Sequence, residues 1–192
     1  MNWKEELSKI EKDFGFHQKK DWIPDIIFIK KTLENYPNDI ALNIRAIYIL
    51  HHILVEEEYP EQESEWIANL LKKCFNKSYE LFYKEPEYLF FIGKILYISE
   101  WYFGLDDDMK PLEDRRAFKM QKEAFELEPQ NELYEWGYTF SKGENIKAFE
   151  LCKQILFTKN RYIRKLKMYN FPGKYIIESL QSCYDRYKNL EY

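Results

Sequence analysis

Residues 113–160 read EDRRAFKMQKEAFELEPQNELYEWGYTFSKGENIKAFELCKQILFTKN. Apolar residues recur here at helical spacing, and Pro129 and Gly143 fall where a helix must stop and a turn must form. The stretch predicts three consecutive helices, Asp114–Leu127, Asn131–Ser141 and Glu144–Thr158. Ala117, Gln121, Ala124 and Pro129 lie at the same relative offsets as Ala148, Cys152, Ile155 and Asn160, so one helical unit is used at least twice. The pattern speaks of architecture rather than of chemistry.

The rest of the chain reads as longer versions of that unit. Asn2, with Glu5 three residues on, caps a first helix whose stripe is Trp3, Leu7 and Ile10. After a linker at Phe16–Lys20, Asp21 caps a second helix carrying Ile26, Ile27, Ile29 and Leu33. Asn38 or Asp39 opens a long one to about Glu58. Ser64 begins a helix through Trp66, Leu70, Leu71, Cys74 and Phe75, and the next runs from Glu87 to about Phe103. The latter is apolar nearly all round and is read as the most buried helix. Phe171-Pro172-Gly173 is read as a break before a last helix, Lys174–Leu190. The expectation is an all-α single domain over residues 1–192. About ten antiparallel helices would form a solenoid or an irregular bundle.

The repeat resembles the tetratricopeptide pattern of paired helices. The likeness rests on Leu133, Trp136, Gly137 and Phe140 followed by Ala148, Cys152, Ile155 and Asn160. It recurs at Leu89, Ile92, Gly93 and Leu96 followed by Ala117, Gln121, Ala124 and Pro129. The proline marks Pro37, Pro86 and Pro129 are spaced more widely than in that family. The resemblance implies a tetratricopeptide-like α-solenoid, and thus a surface for binding another protein.

Composition narrows the function classes. Aromatics are 18% of the 192 residues, with 16 Tyr against six Ala, so large rings must fill the gaps between helices. So many phenol hydroxyls cannot all be buried, and exposed Tyr is a favoured contact residue. The formal charge of −4 argues against a general nucleic-acid binder. Cys74, Cys152 and Cys183 show no metal or redox spacing and read as reduced thiols of a cytoplasmic protein. No apolar run approaches a membrane span, and no membrane partner is expected.

Catalytic signals are missing from the sequence. His51-His52 with Glu56 is the best metal candidate, but nothing supplies the remaining ligands. Asp106-Asp107-Asp108 lacks the spacing of a calcium loop. There is no glycine-rich phosphate loop and no nucleophile elbow. The chain is therefore read as non-enzymatic, without metal or cofactor.

Charge distribution supplies the candidate sites. Glu56, Glu57, Glu58, Glu61, Glu63 and Glu65, with Asp106, Asp107 and Asp108, form the candidate partner-binding acidic patch. Glu61, Glu63 and Glu65 are expected to govern association rate more than folding. Residues 142–174 hold nine Lys or Arg against two Glu. There Arg161, Arg164, Lys165 and Lys167, interleaved with Tyr162 and Tyr169, form an alternative basic patch for RNA or phosphate. An acidic, Tyr-rich helical protein without catalytic residues looks like the immunity proteins that neutralise bacterial toxins. That likeness implies a basic toxin domain as the partner. The alternative is an RNA- or nucleotide-associated helical protein.

Overall fold

The computed structural model describes residues 2–15, 20–107 and 109–188. Among them are ten α-helices and no strand. These are α1 (Trp3–Lys12), α2 (Ile23–Asn35), α3 (Ile40–Glu56), α4 (Ser64–Phe82), α5 (Pro86–Ser99), α6 (Arg116–Leu127), α7 (Glu132–Ser141), α8 (Asn145–Lys153), α9 (Asn160–Lys167) and α10 (Phe171–Tyr187). The all-α class is as the sequence reads, and the helices are compatible with a helical repeat. The expected Phe16–Lys20 linker lies outside the described residues except for Lys20, and so does the expected end of the last helix at Leu190. The chain divides into two compact units, one formed by Met1–Tyr83 with Ser99–Leu105, the other by Lys84–Ile98 with Asp106–Tyr192.

In the first unit, caps set the helix starts. Asn2 accepts a hydrogen bond from the Lys4 N–H and donates its amide to Glu5 at 2.8 Å. Asp39 accepts from the Leu42 N–H at 3.0 Å. The central element is α3, where every residue from Leu42 to His51 is buried. Leu42, Ala46, Ile49, Leu50 and Ile53 form the expected apolar face, and Ile44, Ile47 and Tyr48 are buried on the others. Asn43 is satisfied by donating to the Pro37 and Asp39 carbonyls. Two of the large apolar residues these helices carry are substantially exposed, Ile27 at 41% and Trp66 at 39%.

In the second unit α5 plays the central part, with Tyr88 to Leu96 buried without interruption. It is not uniquely buried, as the sequence suggested, because α3 is equally enclosed. It also stops at Ser99, and the chain continues as a 3-10 turn, Glu100–Phe103. The repeat motif shows its physical sense here. Gly93 of α5 and Gly137 of α7 both face the Gln121 side chain, which donates to the Phe90 carbonyl at 2.8 Å. A Cβ at either glycine would collide with that amide.

The helix expected to end at Thr158 changes at Gln154 to a π-helical turn, closed by the Lys159 N–H on the Gln154 carbonyl. Phe171-Pro172-Gly173 is no break but the first turn of α10. Proline is tolerated there because the first-turn N–H groups have no helical acceptor. Gly173 is required by packing, since a Cβ would fall on the Leu166 carbonyl at the end of α9. The tight reversal before it is made by Asn170, the one non-glycine residue with positive φ among those described, at 52°.

Candidate functional site

The acidic stretch of the first unit joins α3 to α4. Pro60 is extended, Glu61–Glu63 form a 3-10 turn, and α4 begins at Ser64. Two tethers hold this connection in one conformation. The Tyr59 hydroxyl donates to the Leu54 carbonyl at 3.2 Å. Glu57, its side chain largely buried, accepts from the Gly15 backbone N–H at 2.9 Å and pairs with His52 Nε2 at 3.1 Å. Glu57 is therefore an internal tether, which removes it from the partner-binding patch.

The remaining carboxylates fall into two physical groups. Glu61, Glu63 and Glu65 precede or open α4, where the positive end of the helix dipole stabilises them. Glu63 is half-buried, and Glu61 and Glu65 are exposed. Glu56 and Glu58 are exposed at the C-terminal end of α3, whose last turn carries no basic residue. Negative charge at that end is locally unfavourable, and such a conflict between local preference and sequence is expected at functional surfaces. Trp66, in the first turn of α4, adds a half-exposed ring close in sequence to these acids.

The aspartate run belongs to the second unit. Asp106 is exposed, whereas Asp107 is only 3% exposed. Asp107 accepts from Lys110 Nζ at 2.6 Å and from the Arg116 N–H at 2.5 Å, and so anchors the approach to α6. Burial works against its charge, but these donors prevail and hold its pKa below the usual carboxylate range. Asp107 is thus a structural anchor, not a contact. Asp108 lies outside the described residues.

The basic patch keeps its charges but not its tyrosines. Arg161, Arg164, Lys165 and Lys167 are exposed on α9. Tyr162 and Tyr169, expected to stack bases, are buried. The Tyr162 hydroxyl accepts from the Glu132 N–H at 3.1 Å, and the Tyr169 ring packs on Phe91 at 4.5 Å. Tyr162 and Leu166 form the inner stripe of this helix and Tyr169, just past its end, continues it, a spacing already visible in the sequence. Of the nine basic residues in 142–174, at least six pair with carboxylates. Lys142 meets Glu144, Lys147 meets Glu135, Lys159 and Arg161 meet Glu132, Lys165 meets Glu87, and Lys174 meets Glu178.

The histidines are drawn to different partners. While His52 meets Glu57, His51 is buried and its Nε2 lies 2.5 Å from Ser99 Oγ, with Phe103 stacked alongside. No group of three potential metal ligands occurs among the described residues. Burial, helped by the neighbouring His52, pulls the His51 pKa down from about 6.5 to about 4. His51 is then neutral when folded but protonated when unfolded between those values. Stability should be fully present above pH 6.5 and fall by roughly 3 kcal/mol as pH drops towards 4. Denaturant melts across that range should show a flatter limb for His51→Gln; an unchanged limb would mean that His51 is protonated in the fold.

Compared with known proteins, the chain matches no family model, no curated protein and no solved structure. No helix among the described residues is long and apolar enough to cross a membrane.

Proposed function

We propose that the chain is a non-enzymatic protein-binding module that presents the α3–α4 connection to a basic protein partner. In its most specific form it is an immunity protein that binds and neutralises a toxin domain. The observation that carries this reading is the tethered acidic connection, with Glu56, Glu58, Glu61 and Glu65 exposed beside Trp66. A loop already fixed in one conformation loses little freedom on binding. Carboxylates steer a basic partner, and a partly exposed Trp is a favoured anchor. Buried tyrosines and paired bases on and around α9 leave the nucleic-acid alternative with less support.

Glu56→Lys with Glu58→Lys separates this role from folding. Removing two acids from the C-terminal end of α3 should leave stability unchanged or raise it by about 0.3–1 kcal/mol. The same change should slow partner association about tenfold or more. Reversal at Glu61, Glu63 and Glu65 should slow it too, with some loss of stability from the start of α4. The partner is first obtained by native capture on the tagged full chain at low and high salt. One stoichiometric basic protein that survives high salt is expected. Nucleic acid that leaves as salt rises would instead support the alternative. Association that is indifferent to both reversals would remove this surface from consideration.

A further inference from the structure

In the second unit, α5, α7 and α10 line a groove of about 410 Å³. Lys94 stands in it, 95% buried by its 5% exposure. Its Nζ lies 4.2 Å from the centroid of the Trp136 ring and 4.5 Å from that of Phe140. Among the described residues no carboxylate pairs with it. The acidic group acting on it is the Cys183 thiol, which lines the same groove. Burial draws the Lys94 pKa down to about 8, so the amine is still largely charged at neutral pH.

A buried ammonium that rests only on ring faces and a thiol gains from an anion. The size of the groove suits a small molecule rather than a bare ion. Tyr97, Phe140 and Tyr175 give it apolar walls. Arg186 and Glu178 line it with opposite charges, and the Cys183 thiol, made more acidic first by its hydrogen bond with Cys152 and more weakly by Lys94 and Arg186, offsets the Lys94 charge only in part. We propose that this groove binds a small organic carboxylate, with the carboxylate on the Lys94 ammonium and a flat apolar body between Tyr97, Phe140 and Tyr175. The site lies apart in sequence from the acidic connection and does not depend on its role.

Isothermal titration of the full chain with 3-phenylpropionate, its neutral amide and acetate tests the assignment. The acid should bind with a Kd of about 1 mM or below, and the amide and acetate at least about tenfold more weakly. Lys94→Met keeps the length of the side chain and removes the buried charge, so the fold should hold while affinity for the acid falls at least about tenfold. Ser182→Trp, at an exposed lining position, should block the groove with an unchanged Tm. Equal binding of acid and amide, equal binding of acetate, or an unaltered Lys94→Met affinity would each overturn the proposal. So would the absence of binding by the acid up to about 10 mM.

Discussion

Arg45→Ala should lower stability by about 3–5 kcal/mol, because it takes the guanidinium away from the buried Glu11 carboxylate. The guanidinium grips Glu11 through both carboxylate oxygens, at 2.9 and 2.7 Å, and the two side chains are 3% and 6% exposed. It also donates to the Ser8 hydroxyl and the Lys4 carbonyl, so that one residue of α3 holds three positions of α1. A ten-residue helix is marginal by itself and depends on such attachment. Urea melts should show the loss, and amide exchange in α1 should rise before that elsewhere in the unit. Replacing both partners, Arg45→Met with Glu11→Leu, should recover most of the stability, since the desolvation of two charges disappears with their attraction. A single variant that melts like the parent would show the pair to be solvated.

That pair marks the limit of what the sequence discloses. Helix starts were readable where the signal is local. Asn2, Asp39 and Asn131 each accept a hydrogen bond from a backbone N–H within the first turn of the helix that they cap. Long-range partners were not readable. Nothing near Glu11 in the chain points to Arg45, and nothing in a run of glutamates singles out Glu57 for the Gly15 N–H. Asp107 was misjudged for the same reason, its acceptor role depending on the distant start of α6. Phe171-Pro172-Gly173 was misjudged differently. Proline and glycine signal a break only when their neighbours are ignored, and here one sits in a first turn and the other under a carbonyl. Tyr162 was placed in the basic patch, although its spacing to Leu166 and Tyr169 marks an inward stripe that outweighs the basic residues around it. Lys94 was not, since it is the one charged residue among Tyr88–Leu96 and only tertiary packing places its amine over Trp136.

Trp136→Ala should cost about 3–5 kcal/mol, and more than the size of the cavity alone explains. The ring is fully buried, packs beside Phe140 at 5.8 Å and forms one of the two aromatic faces under the Lys94 ammonium. Truncation therefore removes apolar contact and also leaves a buried cation with less to rest on. The two contributions separate in a double-mutant cycle. In the Lys94→Met background the cation is gone, and Trp136→Ala should then cost about 1–2 kcal/mol less than in the parent. Trp136→Phe keeps an aromatic face and should fall between. Equal costs in both backgrounds would mean that the ammonium draws nothing from the indole. In that case the Lys94 amine would carry no effective charge against the ring, and the argument for an anion in the groove would weaken with it.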